Sequence, residues 1–218
     1  MNKKIYSYKI NFPEKLFEPY FRGEIKRLSV TTMPEDSVSE EFHAWLKRFE
    51  IRSSPGDNKF FCSMPNQGYF PHVDGHKFSN NTKLNIIFNS LSSEMIWYHL
   101  LPGRKSKMRV GDHGHVALSF DLDDCIEVHR ADVNSTTIIN GGQIHTLSNG
   151  PNNGINRQCY QISLLDEHTM KPVQWEDAVE RFSSIINPNS NGTDDRTPHF
   201  IKEGFSPKEA RPQEKKAS

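Results

Sequence analysis

Eight short β-rich runs, each closed by turn residues, fill the middle of the chain. They are Phe60–Met64, Lys83–Phe88, Met95–Leu101, His115–Phe120, Cys125–Arg130, Ser135–Asn140, Ile144–Ser148 and Arg157–Leu165. Pro102-Gly103, Gly111-Asp112, Asp123-Asp124, Gly141-Gly142 and Gly150-Pro151-Asn152-Asn153-Gly154 punctuate them. These are residues that tolerate or impose the backbone angles of tight turns. Several short strands at this spacing favour a sandwich or jelly roll over a parallel α/β sheet. The expected fold is therefore mainly β, with a β core over about residues 60–165 and helices flanking it.

Two segments carry helical periodicity. In Ser37–Arg48, Ser37 reads as the N-cap and Glu40 as its capping-box partner. Phe42, Trp45, Leu46 and Phe49 then share one face. In Val173–Ile186, Pro172 suits the first turn. Trp175, Ala178, Val179, Phe182 and Ile186 form the apolar stripe. Both stripes read as core packing. From Asn187 to Ser218 the chain is rich in Asn, Pro, Lys and Glu and reads as a disordered tail. One domain over residues 1–186 followed by that tail is the expected organisation.

Lys and Arg number 27 and so do Asp and Glu, which argues against a nucleic-acid partner. No apolar run approaches the roughly 20 residues that span a bilayer. The residues after Met-Asn-Lys-Lys lack the apolar stretch of a secretory signal. Cys62, Cys125 and Cys159 are odd in number and widely spaced, which fits reduced thiols. A cytoplasmic protein without membrane attachment is expected; oligomeric state is not legible.

The chemistry concentrates in Pro71-His72-Val73-Asp74-Gly75-His76. On an extended segment His72 and Asp74 point to the same side, because side chains alternate with period two. One imidazole nitrogen and one carboxylate oxygen so placed can hold a metal ion. A third ligand completes the two-histidine, one-carboxylate set of non-haem Fe(II) oxygenases. His145, in a short strand late in the β region, is the best candidate. The turn residues 149–153 suggest a hairpin that would set His145 opposite Arg157. An Arg in that place would point into the same interior, where a permanent guanidinium needs an anion. A dicarboxylate chelating the metal at one end and pairing with Arg157 at the other would supply it.

This arrangement of His72-x-Asp74, His145 and Arg157 resembles the 2-oxoglutarate/Fe(II) dioxygenases. The segments Lys83-Leu84-Asn85-Ile86, Glu94-Met95-Ile96-Trp97-Tyr98, Ile138-Ile139-Asn140 and Arg157 to Leu164 are similar in order and style to aspartyl/asparaginyl β-hydroxylase-like proteins. The resemblance covers roughly residues 60–165. It implies a double-stranded β-helix, cupin-like, with His72, Asp74 and His145 on Fe(II) and Arg157 on the distal carboxylate of 2-oxoglutarate. It implies O2 as oxidant, decarboxylation of 2-oxoglutarate to succinate, and hydroxylation of an amino-acid side chain. Asp, Asn or Pro, free or in a protein, are the leading substrates, and Asn85 and Trp97 are candidate pocket residues. This chain departs from patterns of the family it resembles at three places. Some aspartyl/asparaginyl β-hydroxylases lack the carboxylate that Asp74 provides. Where many have Ser or Thr two residues after the Arg, Cys159 stands here. The nucleic-acid dealkylating branch carries a second Arg six residues after the first, where this chain has Ser163.

The alternative is a cupin-like protein that binds a metal or a small acid without oxygenase chemistry. A metal-free jelly-roll interaction domain is a third reading. His76 reads as a rim residue, His113 and His115 as loop residues, and the basic stretch 103–109 as a solvated loop.

Overall fold

The computed structural model describes residues 5–16, 29–33, 38–54, 56–74, 79–110, 116–151 and 154–188. Fourteen strands and two α-helices lie within them. The strands are β1 (Ser7–Lys9), β2 (Ser29–Thr32), β3 (Ile51–Ser53), β4 (Lys59–Ser63), β5 (Gln67–Gly68), β6 (His72–Val73), β7 (Thr82–Phe88), β8 (Ser93–Leu100), β9 (Lys107–Val110), β10 (Val116–Ser119), β11 (Cys125–Asp132), β12 (Thr137–Asn140), β13 (His145–Asn149) and β14 (Arg157–Asp166). The helices are α1 (Glu40–Lys47) and α2 (Trp175–Arg181).

All strand pairs are antiparallel, in two sheets. One runs β1-β12-β7-β14-β4-β2, with β3 on the end of β14; the other runs β11-β8-β13-β6-β10-β9, with β5 also on β13. β5 and β6 pair with the same strand and act as one ladder. Counted in chain order from β4, the central strands then alternate between sheets in the orders 6-3-8-1 and 5-4-7-2. That is a double-stranded β-helix, a jelly roll whose consecutive late strands sit on opposite walls. β1 and β2 extend the first sheet, and the β9–β10 hairpin extends the second beyond β6.

The first sheet buries its outer face under the helices. Tyr160, Ile162 and Leu164 of β14, Leu84 and Ile86 of β7, and Phe60 and Cys62 of β4 pack against Phe42, Trp45 and Leu46 of α1 and Trp175, Ala178 and Phe182 of α2. The opposite residues of the same strands face the second sheet. Both helices are shorter than their periodicity implies. Ser39, not Ser37, caps α1, accepting a hydrogen bond from the Phe42 amide at 3.1 Å. Ser37 lies outside the described residues. Pro172 is not in the first turn of α2 but pairs with Leu165 in a β-bridge, and the helix starts at Trp175. Pro172 presets an extended approach rather than a turn of helix.

The expected hairpin between residues 144–148 and 157–165 does not form. β13 is flanked by β8 on one side and by β5 and β6 on the other, and β14 by β7 and β4. Neither strand has a free edge for the other. The chain passes instead from one sheet at β13 to the other at β14, and residues 152 and 153 between them lie outside the described residues. His145 therefore pairs with His72 and Trp97, and Arg157 pairs with Ser63. Short strands at β1, β2, β3, β5, β6 and β9 add to the eight read from sequence. No helix among the described residues is long and apolar enough to cross a membrane.

Candidate metal centre

His72 opens the short strand β6, and Asp74 follows two residues later. Val73 between them is fully buried in an apolar cluster with Ile96, Tyr98, Leu118 and Ile144 on the outer side of the second sheet. With Val73 outward, the alternation of an extended chain turns His72 and Asp74 inward. His145 opens β13, directly across the ladder from His72, so the two imidazoles share a face. Their ring centroids are 4.5 Å apart. Asp74 Oδ1 lies 3.6 Å from His72 Nε2 and 3.9 Å from His145 Nε2. One donor atom from each of the three falls within 4.8 Å of the others. That spacing suits atoms sharing one ion roughly 2.0–2.2 Å from each.

Backbone carbonyls orient both rings. His72 Nδ1 meets Phe70 O at 2.9 Å, and His145 Nδ1 meets Gln143 O at 2.9 Å. Each Nδ1 donates its proton there, so each Nε2 lone pair faces Asp74. Such outer hydrogen bonds set the tautomer that metal-ligating histidines use. The chain around Asp74 is equally constrained. Its amide donates to Gly141 O at 2.9 Å, and Gln161 Nε2 meets its Oδ2 at 3.3 Å. A Cβ on Gly141 would stand 2.6 Å from that same oxygen, so only glycine leaves room for the carboxylate.

The charge states follow from burial and from one another. Burial acts to raise the Asp74 carboxyl, but its contact with His72 and the charges of His145, His72 and Lys83 hold it well below the usual carboxylate range. Burial also acts to lower His72, and the hydrogen bond and charge of Asp74 outweigh it, leaving it raised above 6.5. His145 goes the other way. Burial, then repulsion from His72, pushes it down to about 4, so it is a neutral imidazole near pH 7. One neutral imidazole, a second held by a carboxylate, and an ionised carboxylate match the facial donor set of non-haem iron. The residues fit that group.

Arg157 lies on the opposite wall. β14 points Arg157, Cys159, Gln161 and Ser163 inward at successive two-residue steps of roughly 6–7 Å. Gln161 touches Asp74, and Arg157 stands at the far end of the row. His145 and Arg157 thus stand on two different sheets rather than side by side in one. Arg157 is only 1% exposed, and its Nε has no hydrogen-bond partner. The Tyr69 and Ser63 hydroxyls, also buried, likewise have none. Burial pushes the Tyr69 phenol far above its ordinary value, with Arg157 opposing, so it stays a hydroxyl donor. Burial also raises the Cys159 thiol, and Arg157 offsets part of that.

Asn85 lies beside Gln161 on the inner face of β7, 3% exposed, with its Oδ1 unpartnered. Trp97 pairs with His145 in the ladder and is fully buried; its ring stacks on Tyr6 and its Nε1 donates to Asn140 O at 3.2 Å. Trp97 thus forms the apolar floor beside His145, with Met95, Val133 and Ile139. Tyr69, Ser63, Gly141 and Lys83 were not singled out from the sequence. Ser63 and Lys83 become legible only through register, as ladder partners of Arg157 and Ser163. His76, His113 and His115 lie outside the described residues. Of the basic stretch, Lys107 pairs with Asp121 at 2.7 Å, Arg104 pairs with Asp124 at 3.3 Å, and Arg109 lies 4.6 Å over the Phe70 ring.

Fold and donor set together define a mainly β, cupin-type jelly roll with a candidate His-Asp-His metal centre. No protein-family model matches the sequence, and no curated protein matches it. Among the solved structures that are similar in part are the following two. An L-ribose isomerase mutant from Acinetobacter sp., in complex with L-ribose, is 14% identical over 62% of this chain and 59% of that one, with a TM-score of 0.29. A cupin 2 domain-containing protein from Halorhodospira halophila is 11% identical over 77% and 88%, with a TM-score of 0.25. The chain thus spans about three fifths of the isomerase's length. The strand order by itself defines the jelly roll.

Proposed function

We propose that the protein is an Fe(II)- and 2-oxoglutarate-dependent hydroxylase acting on an amino-acid side chain. The observation that carries this reading is Arg157: a buried guanidinium with an unpartnered Nε and no carboxylate within ion-pair distance among the described residues. Leaving a buried charge unpaired costs several kcal/mol, and Tyr69 and Ser63 add unpartnered hydroxyls near it. The guanidinium with these hydroxyls beside it makes a receptor for an anion. A carboxylate fits, accepting from the guanidinium and from hydroxyls. Gln161 and Cys159 lie along the same strand face between that receptor and Asp74. A dicarboxylate with its other end on the metal would lie along this row. A metal-binding cupin that takes no second acid has no use for such a receptor.

In this reading His72, Asp74 and His145 would hold the iron, which supplies oxygen activation when bound. The chain's own residues do the positioning. Phe70 O and Gln143 O keep the imidazoles aimed, and Gln161 steadies the Asp74 oxygen not turned toward them. Arg157 and Tyr69 orient the cosubstrate, while Trp97, Met95 and Ile139 keep one side of the interior dry.

The test is an anaerobic titration of metal-free protein with Fe(II) and then 2-oxoglutarate, followed by visible absorption. A weak charge-transfer band should appear with both present and be lost in His145→Ala. Arg157→Ala should weaken 2-oxoglutarate binding at least tenfold while metal binding persists. Metal binding with no band, and no effect of 2-oxoglutarate on thermal stability, would sink the oxygenase reading and leave a metal-binding cupin.

A further inference from the structure

One charged cluster on the inner wall holds no ligand of the metal and stands apart from Arg157. It lies beyond Gln161, at the opposite end of the β14 row. Lys83 of β7 pairs with Ser163 across the ladder, and its Nζ donates to Ser163 Oγ at 2.5 Å. Ser163 Oγ donates in turn to Asp57 Oδ2 at 2.6 Å, and Lys83 Nζ lies 3.3 Å from the same oxygen. Lys83 is well covered, with 13% of its side chain exposed, whereas Asp57, in the turn before β4, is 55% exposed. Lys59, the ladder partner of Gln161, stands in the same field. Burial lowers its ammonium, Asp57 supports it and Lys83 repels it. The carboxylate that pairs with Lys83 thus belongs to an exposed turn, and Lys59 feels the charge of both.

The cluster is close to the metal centre. The Lys83 stem and the Asp74 carboxylate crowd the same point above the Gly141 Cα, at 3.1 and 2.6 Å from where a Cβ would be. The positive charge of Lys83 is one of the influences that keep Asp74 ionised. Two residues along β7 from Lys83, on the same face, stands Asn85 with its buried, unpartnered Oδ1. A cation and a hydrogen-bond acceptor therefore stand side by side, next to the ligands and away from Arg157.

We infer that Lys83, Ser163 and Asn85 form the substrate subsite, and that the substrate is a small amino acid with a free carboxylate. Its carboxylate takes the Lys83 ammonium and the Ser163 hydroxyl over from the exposed Asp57 carboxylate. An N–H of its amino group donates to Asn85 Oδ1. The inference rests on the oxygenase reading above, because it places the substrate beside a loaded metal centre.

The experiment is calorimetric titration of anaerobic protein loaded with Fe(II) and 2-oxoglutarate, using the common free amino acids and the carboxamide of each. The visible band reports loading independently. At least one free acid should bind, and its carboxamide should bind at least tenfold more weakly. Lys83→Met should bring that ratio close to one, and Ser163→Ala should reduce it if Lys83→Met does not load. Failure of the wild-type band overturns the oxygenase reading and this inference with it. A normal band with no binding of any free acid, with equal binding of acid and amide, or with full discrimination kept in Lys83→Met, overturns this inference alone.

Discussion

Arg157 stands where function and stability pull in opposite directions. Its guanidinium is buried with an unpartnered Nε and no carboxylate partner among the described residues, so the metal-free protein bears the cost of an uncompensated charge. Arg157→Met should therefore raise the melting temperature of metal-free protein while abolishing stabilisation by 2-oxoglutarate. Relief of 1–2 kcal/mol corresponds to roughly 2–8 °C for a chain of this size. Thermal melts with and without the acid check both halves. The two histidines make a separate pH prediction. Metal binding requires both imidazoles neutral. As pH falls, His72 takes a proton first, because its contact with Asp74 raises it, while His145 stays neutral until about 4. Affinity for Mn(II) should thus drop about tenfold per pH unit once pH falls below the raised His72 value. The slope should steepen only as pH approaches the His145 value. In metal-free protein the raised His72 has the opposite sense. Its contribution to stability is complete below about 6.5 and fades as pH rises through the folded value. Fluorescence or calorimetric titrations across pH check the slope.

At the scale of elements, the helices support the first sheet from outside and never touch the site. Ser39 holds α1 by one cap bond, and the helix delivers Phe42, Trp45 and Leu46 to the core. Ser39→Ala should cost about 1 kcal/mol. Chemical denaturation should show that loss with no change in Mn(II) affinity, because the cap and the ligands stand on opposite faces of the sheet. The helices also show how far periodicity carries. Their apolar faces were legible because spacing of three and four residues is local. Their ends were not, because Pro172 is drawn into a bridge with Leu165 and the Ser39 side chain reaches the Phe42 amide.

At the scale of the molecule, the interior depends on two sheets staying in register. Asn149, fully buried at the end of β13, donates from Nδ2 to Ser63 O at 3.1 Å and Met64 O at 2.8 Å, latching the second sheet to the end of β4. Its Oδ1 accepts from Ser93 Oγ at 2.9 Å. Asn149→Ala leaves those groups without partners and should destabilise the protein by roughly 1–3 kcal/mol. Because Ser63 is the ladder partner of Arg157, the same variant should weaken 2-oxoglutarate binding more than metal binding; titrating each separately decides it. The amino-acid sequence by itself determined the strand-forming material, the turns between strands, and the shared side of His72 and Asp74. All of these depend on neighbours a few residues apart, where backbone geometry imposes a period of two. It also supplied the right residue types for a metal centre and a buried cation. Only the tertiary structure decided which strand lies beside which. It put β13 and β14 in different sheets, brought His145 against His72, and left Arg157 facing the interior without a counter-ion among the described residues. Lys83, Ser163 and Asp57 met in the same way, across ladders and turns from distant parts of the chain. Pairing is a long-range choice, made by burying one face of each sheet, and no local pattern encodes the partner.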